Sequence, residues 1–226
     1  MNTDLSKKSA ALRASEFINS GMNIGLGTGS TVFYLLEKLR EMVAQGLQIN
    51  AVSSSKATEK ICKDFNIPLY PMNEMGRLHI TIDGADEVDG LLNGIKGGGG
   101  ALLFEKIIAT NSEKVIWICN KEKLVKELGA FPLPVEVVPM NSKHLFEFFE
   151  KSGYKPEIRK KDGKIFKTDS NNMIIDLNLG KVSKFPNIEN ILNSCVGVVE
   201  HGLFTNICNV LILGDGEKTE VMGKFI

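Results

Sequence analysis

The strongest constraint on the fold is an alternation of short apolar segments with longer segments of helical periodicity. The apolar segments are NIGLG at 23–27, INAVSSS at 49–55, LHITID at 78–83 and KVIWICN at 114–120. Segments such as VFYLLEKLREMVAQG at 32–46 carry the helical pattern between them. Strands separated by helices of this length pair in parallel through right-handed crossovers. The sequence therefore predicts an α/β fold with a doubly wound, mostly parallel, Rossmann-like sheet.

The pattern changes at FPLPVEVVPM, residues 131–140, where three prolines interrupt an apolar stretch. Because proline does not serve inside a central strand, this stretch predicts a domain boundary. Beyond it we expect a helix at 142–151, charged strands at 155–167, a strand at 172–179 and a helix near 188–193. The prediction is a small α+β domain at 131–203 and an α/β catalytic domain made of 1–130 plus about 204–226, whose last segment returns to the first sheet.

The composition narrows the classes of partner. In 226 residues, 27 Lys and Arg balance 27 Asp and Glu, so no large field favours a nucleic acid or an anionic membrane. No apolar run is long enough for a signal peptide or a bilayer span, and we therefore expect a cytoplasmic protein. The four cysteines and three histidines lack the spacing of metal ligands. We therefore expect no metal and no cofactor.

The turn GLGTGST, residues 25–31, joins the first predicted strand to a helix. It fails the dinucleotide fingerprint because Val32 stands where G-x-G-x-x-G requires its third glycine, and it lacks the lysine of a P-loop. The hydroxyls of Ser30 and Thr31, together with the backbone N–H groups of the helix start, favour binding of a phosphate. A plain tight turn is the alternative.

The acidic loop DGADEVD, residues 83–89, places four carboxylates directly after an apolar strand. Short acids at the carboxyl edge of a parallel sheet are well placed to bind ligand hydroxyl groups, which favours Asp83 and Asp86 as contacts. A divalent metal site is an alternative, although the EF-hand spacing is absent. A solvated acidic loop is the other alternative.

The segment IKGGGGALLFEKIIA, residues 95–109, has four consecutive glycines before a helix. Glycines let backbone N–H groups approach an anionic or oxygen-rich ligand. All three loops follow predicted strands and belong at one edge of the sheet. In the helix, we expect Phe104, Ile107 and Ile108 to surround the Glu105 carboxylate, so that burial raises its pKa towards that of a general base. The alternative is a carboxylate that serves the helix dipole or pairs with Lys106.

Five motifs, GTGST, SSSKAT, DGADEVD, IKGGGGALLFEKIIA and FPLPVEVVPM, follow one another along the chain. In this order the sequence closely resembles the type A ribose-5-phosphate isomerases, over nearly its whole length. The resemblance implies interconversion of D-ribose 5-phosphate and D-ribulose 5-phosphate through an enediolate, without a metal, in the non-oxidative pentose phosphate pathway. It also implies a homodimer or homotetramer.

The resemblance assigns roles to individual residues. Glu105 matches the family's base, and Lys123 matches a lysine that binds substrate. Lys96 is suited to stabilise the enediolate oxygen, and Asp83 or Asp86 to assist ring opening by moving the anomeric proton. Three substrate-binding loops are implied: Thr28, Gly29, Ser30 and Thr31; Asp83, Gly84, Ala85 and Asp86; and Lys96, Gly97, Gly98 and Gly99.

One stretch departs from the family pattern. Members usually carry an Asp-x-Ser-Lys-like sequence before the substrate-binding lysine, whereas this chain has Asn120, Lys121 and Glu122 before Lys123. Lys121 is therefore an alternative phosphate ligand. Lys7 also matches a position near the family's phosphate site.

Two other classes of protein compete with this interpretation. One is a sugar-phosphate-sensing module on the same kind of fold, without turnover. It has no need of a desolvated carboxylate such as Glu105 beside its ligand. The other is a related CoA-transferase or amino-sugar-phosphate deaminase, which would not predict the segment from KGGGG to Glu105.

Overall fold

The computed structural model describes residues 3–224, which form six α-helices and fifteen β-strands. The helices are α1 (Thr3–Ser15), α2 (Ser30–Ala44), α3 (Lys56–Asp64), α4 (Leu102–Thr110), α5 (Ser142–Lys151) and α6 (Ile188–Ser194). The strands are β1 (Asn23–Leu26), β2 (Asn50–Ser53), β3 (Ile80–Asp83), β4 (Glu87–Val88), β5 (Gly94–Ile95), β6 (Val115–Asn120), β7 (Leu133–Val137), β8 (Pro156–Ile158), β9 (Lys160–Lys161), β10 (Lys164–Ile165), β11 (Met173–Leu177), β12 (Val198–His201), β13 (Leu203–Phe204), β14 (Val210–Asp215) and β15 (Lys218–Gly223).

The central sheet has six strands in the order β15-β14-β6-β3-β1-β2, all parallel except for β15. On β6, Ile116 and Ile118 face a core shared with α1, α2 and α3, whereas Val115, Trp117 and Cys119 face the opposite side. Because both faces of the sheet are covered, its strands are continuously apolar rather than alternating. The predicted α/β class with a mainly parallel sheet is confirmed, and β14 returns to this sheet as expected.

The second region is an antiparallel sheet with the order β12-β7-β11-β8. Its core includes residues of α5 and α6, together with Ile95 of β5 and Leu203 of β13. Those two strands belong to a three-stranded sheet with the order β13-β5-β4. The small sheet therefore joins the antiparallel region to the chain near the central sheet. The division into two domains at 131 and 203 stays a prediction.

The expectation that proline does not serve inside a central strand is wrong for the proline-rich stretch. Pro134 lies inside β7, which is an inner strand of the antiparallel sheet. Its carbonyl accepts a hydrogen bond from the N–H of Gly202, at 2.8 Å, beyond the last β12–β7 pair of His201 and Val135. The ring of Pro134 lies against Gly202, where a side chain would not fit. Because this contact lies past the last pair of the ladder, the missing N–H of Pro134 costs no ladder hydrogen bond.

The six helices within residues 3–224 include none that combines the length and the apolar character needed to cross a bilayer.

Candidate active site

The loops after β1, β3 and β6 open into a cavity of about 390 Å³. This volume is in the range of small-molecule sites. Thirteen of the fourteen residues predicted from the sequence line the cavity, and only the carboxylate of Asp83 lies outside the lining. The thirteen are Thr28, Gly29, Ser30, Thr31, Gly84, Ala85, Asp86, Lys96, Gly97, Gly98, Gly99, Glu105 and Lys123.

The first glycine loop, residues 27–31, packs tightly against its neighbours on the sheet. A methyl group on Gly27 would overlap the Asp83 carboxylate and come within 2.6 Å of the Asp83 Cα. Thr58 Oγ1 donates to the carbonyl of Gly27 at 2.9 Å, and the hydroxyl of Thr28 lies 2.9 Å from that of Ser55. These contacts fix the loop where β1, β2 and β3 end.

Helix α2 starts from this loop without a side-chain cap. Gly29 is the residue before the helix, with φ of 105°, and no side chain bonds the first N–H groups. Ser30 and Thr31 begin the helix and line the cavity. A helix N-terminus of this kind presents N–H donors and a positive dipole end to an anion.

Besides Lys96, two lysines line the cavity, namely Lys7 on α1 and Lys123 in the 3₁₀ turn after β6. Lys123 Nζ lies 5.9 Å from the centroid of the Phe131 ring. Lys121 is directed elsewhere, with its Nζ 3.3 Å from Asp215 and 3.8 Å from Glu220, and it does not line the cavity. Of the alternatives left open by the sequence, Lys7 lines the cavity and Lys121 does not.

The two aspartates of the acidic loop have different surroundings. Asp83 is buried, and its oxygens accept hydrogen bonds from Lys96 Nζ at 2.9 Å and from the N–H groups of Thr28 and Gly84. Asp86 lines the cavity and accepts from the N–H of Gly98 at 2.7 Å. Asp83 therefore holds two cavity loops together from beneath, while Asp86 reaches the cavity itself.

The sequence had suggested that the second glycine loop, residues 96–100, follows a strand of the central sheet, and this is wrong. It follows β5, a strand of two residues in the three-stranded sheet. The Lys96 N–H donates to the carbonyl of Gly202 at 2.9 Å, which ties the loop to the chain beside β13. A methyl group on Gly99 would lie 3.8 Å from Thr28 Cγ2, its nearest neighbour. The two glycine loops thus meet, although different sheets carry them.

Glu105 is buried on α4, on the helix face that it shares with Leu102, Ile108 and Ala109. Burial raises the pKa of its carboxyl to about 8, an effect opposed by the positive charge of Lys96 and reinforced by Asp83 and Asp86. The surroundings differ from the prediction in part. Ile107 is an exposed residue on another face of α4, because a step of two positions along a helix turns a side chain well away from its neighbour.

Lys96 connects the carboxylates. Its Nζ lies 3.3 Å from Glu105 Oε2, 2.9 Å from Asp83 Oδ2 and 2.5 Å from the carbonyl of Gly84. Burial alone would lower its pKa, but the charges of Asp83 and Glu105 outweigh that effect and raise it. A lysine held in this way keeps its positive charge inside the protein and can stabilise a developing oxyanion.

Sequence reasoning missed four residues that also line the cavity: Thr3, Cys119, Asn120 and Glu122. Asn120 is the last residue of β6, so its place at the carboxyl edge was the available signal. Its Nδ2 donates to Glu122 Oε2 at 3.2 Å. Among residues 3–224, no group of three or more His, Cys, Asp and Glu side chains is placed to bind a metal ion.

Comparison with known proteins identifies the family. The family model for ribose 5-phosphate isomerase A (phosphoriboisomerase A) matches residues 50–218 of the sequence. The chain is 47% identical over 216 residues to the ribose-5-phosphate isomerase A of Streptococcus pneumoniae serotype 19F (strain G54), with 95% of each chain covered. It is 46% identical over 217 residues to that of Streptococcus sanguinis (strain SK36), with 96% of each covered.

Solved structures agree with the sequence relatives. A D-ribose-5-phosphate isomerase in complex with phospho-erythronic acid superposes with a TM-score of 0.94 at 35% identity, covering 99% of this chain and 100% of the other. Ribose 5-phosphate isomerase A from Neisseria gonorrhoeae gives a TM-score of 0.91 at 38% identity, covering 98% and 97%. With a family model that spans most of the chain and relatives that share nearly half of its residues, the chain belongs to the ribose 5-phosphate isomerase A family.

Proposed function

We propose that the cavity binds ribose 5-phosphate, and that Glu105 moves the proton that converts it to ribulose 5-phosphate. Family membership makes the chain an isomerase. The assignment of Glu105 as the base rests on the surroundings of its carboxylate. It is buried and lines the cavity, and its Oε2 makes no hydrogen bond of good geometry within residues 3–224.

The reaction needs one carbon-bound proton and one hydroxyl proton to move. In the open-chain aldose, Glu105 takes the proton from C2, and the electron pair of that bond forms the C1–C2 double bond of an enediolate. The protonated Glu105 then delivers the proton to C1, while the proton of the C2 hydroxyl is transferred to O1. A base with a pKa of about 8 is well matched to both steps, because it accepts and returns a proton near neutral pH.

The enediolate oxygen develops negative charge and needs a fixed positive partner. Lys96 Nζ supplies it, since this group is held by Asp83 and the Gly84 carbonyl before substrate arrives. No reorganisation is then required during the reaction. Asp83 acts through Lys96 in this scheme. Asp86, which reaches the cavity, is the aspartate proposed to move the anomeric proton during ring opening.

The phosphate is proposed to bind at the start of α2. Ser30, Thr31, Lys7 and Lys123 line the cavity there or near it, and the uncapped helix start offers N–H donors. Phosphate binding energy far from C1 and C2 is used to orient the sugar at Glu105. The proposed substrate contacts are thus the cavity-lining residues of the three predicted loops, together with Lys123.

The setting of the reaction is also a proposal. The family resemblance supports a cytoplasmic enzyme of the non-oxidative pentose phosphate pathway that works as a homodimer or homotetramer. Light scattering during gel filtration would measure the assembly state. An active enzyme that stays monomeric at working concentration would contradict this part of the proposal.

The direct test is incubation of the purified protein with ribose 5-phosphate and measurement of ketose formation. We expect turnover that continues after exhaustive chelation of divalent ions. Saturable binding of ribose 5-phosphate without ketose would instead identify a sensing module. Activity that is lost on chelation and returns only with a divalent ion would make the acidic loop a metal site.

A further inference from the structure

We propose that Arg159 positions the second glycine loop for substrate, although it belongs to the antiparallel region and does not line the cavity. This inference rests on the proposed function and extends it to a residue outside the three binding loops. Arg159 lies between β8 and β9, in a charged segment whose sequence gives no sign of a role at the site.

The guanidinium of Arg159 bridges two distant parts of the chain. Its Nη1 donates to the carbonyl oxygens of Gly97, at 2.6 Å, and Gly98, at 3.1 Å. Its Nε donates to Asp176 Oδ2 at 2.8 Å, and its Nη2 donates to the other oxygen of the same carboxylate. Asp176 stands on β11, the strand that pairs with β8. A two-point contact with a carboxylate fixes the plane of a guanidinium, so the third nitrogen is aimed at the loop.

The loop is held from a second side as well. The N–H of Gly98 donates to Asp86 Oδ2, so the peptide group between Gly97 and Gly98 is bound at its oxygen by Arg159 and at its nitrogen by Asp86. Phe166, whose N–H donates to the Arg159 carbonyl at 2.9 Å, covers the end of the loop. A methyl group on Gly100 would overlap the Phe166 ring.

The next peptide group, between Gly98 and Gly99, is bound at one end alone. Its oxygen accepts from Arg159. The N–H of Gly99 has no acceptor within residues 3–224, and Gly99 lines the cavity. A cation on the carbonyl polarises the peptide group and strengthens its N–H as a donor. Arg159 therefore fixes the direction of a backbone donor and makes it stronger for an oxygen of the sugar.

The proton transfer between C2 and C1 uses groups that are held independently of Arg159. Lys96 Nζ is held by Asp83 and the Gly84 carbonyl, and Glu105 is fixed by α4. Loss of Arg159 should thus weaken substrate binding and leave the chemical step nearly intact. An arginine with a structural role alone would change the melting temperature of the protein without this division between KM and kcat.

The test is Arg159→Gln, with Lys160→Gln as the matched control because Lys160 is the next residue, carries the same charge and is exposed. For Arg159→Gln, we expect KM for ribose 5-phosphate to rise roughly tenfold or more, as for loss of charge-assisted hydrogen bonds, with kcat within about threefold of wild type. Lys160→Gln should match wild type. Arg159→Lys should recover part of the loss, since an ammonium can reach a carbonyl but cannot form the two-point contact with Asp176.

Two inhibitors separate the loop from the phosphate site. The inhibition constant of phospho-erythronic acid should rise in parallel with KM in Arg159→Gln, whereas that of inorganic phosphate should stay unchanged. If Arg159→Gln does not fold, Asp176→Asn frees the guanidinium at nearly constant size and should give the same pattern. An unchanged KM, or equal weakening of both inhibitors, would overturn the inference.

A turnover assay tests the proposed function, and calorimetry separately tests the role of Arg159. Wild-type protein that produces no ketose from ribose 5-phosphate would refute the function. Equal affinity of wild type and Arg159→Gln for phospho-erythronic acid would refute the role of Arg159, whether or not the wild type turns over.

Discussion

The two glycine loops line one cavity but are built in different ways. The first loop connects β1 to α2, and its contacts come from strands and helices beside it in the central sheet. The second loop follows a strand of two residues and is held by Asp86, Gly202 and Arg159, the last of which lies 61 to 62 positions away in sequence. Both loops are held by residues distant in sequence, but those that hold the first loop stand at or just beyond the ends of neighbouring strands of the same sheet, which the alternating pattern already places together. Arg159, which holds the second loop, belongs to a different sheet region.

The largest expected effect is on kcat. It tests whether the chemical step belongs to Glu105, next to the second loop, while phosphate binding belongs to the first loop. Glu105→Gln keeps the shape of the side chain but cannot accept a proton. We expect kcat to fall by about 10² to 10⁴-fold or more, with substrate affinity within a few-fold of wild type. Steady-state kinetics and calorimetry measure the two quantities. Glu41→Gln, at an exposed position of α2, is the control and should be fully active.

Isotope exchange sharpens this result. One base that carries a proton from C2 to C1 should let some solvent deuterium enter the product formed in D₂O. Near-normal turnover by Glu105→Gln, or deuterium incorporation independent of Glu105, would move the base elsewhere, with Asp86 as the cavity-lining candidate.

The next prediction compares a glycine of each loop directly. Gly27→Ala forces a methyl group into the Asp83 carboxylate and towards its backbone, and we expect a loss of about 3 kcal/mol or more in the free energy of unfolding. Gly99→Ala meets nothing closer than 3.8 Å, and its methyl enters the cavity. It should leave stability within about 0.5 kcal/mol of wild type and raise KM. Chemical denaturation and kinetics measure both variants, and equal destabilisation would contradict the contrast between the loops.

The phosphate anchor gives a smaller effect. Lys123→Ala should raise KM for ribose 5-phosphate by roughly ten- to a hundredfold, the range for a lost charge-assisted hydrogen bond, while free ribose should be a very poor substrate of the wild type. Lys121→Ala is the matched control, because this neighbouring lysine pairs with Asp215 and Glu220. Equal efficiency with ribose and its 5-phosphate would remove the case for an anchor.

The same contrast explains what the sequence could predict. Strands β1, β3 and β6 and helices α2 and α5 follow from apolar runs and periodicity, since those patterns report local burial. The burial of Glu105 followed from its helix face. The environment of that carboxylate did not, because Lys96 and Asp83 reach it through tertiary contacts.

The remaining features depend on residues that meet only in the folded chain. Arg159 looks like one more charge in a solvated segment until β8 and β11 pair and place it beside Asp176. Pro134 is expected to break a strand, but in the folded chain Gly202, which has no side chain, lies against its ring. Composition and spacing carry no information about either contact.

The last prediction uses pH to isolate the titration of Glu105, on the side of the second loop. The folded-state pKa of Glu105, about 8, lies above its ordinary value of 4.5 because burial penalises the charged carboxylate. Between these two values the unfolded chain releases the proton while the folded chain keeps it, so wild-type stability should fall as pH rises through this window. Glu105→Gln has no proton to release there. Its melting temperature relative to wild type should therefore increase from about pH 4.5 to about pH 8 and level off above. Thermal melts of both proteins across this range measure the difference. A constant difference would mean that the carboxylate is already charged in the folded protein at low pH, paired with Lys96, and that its pKa is not raised.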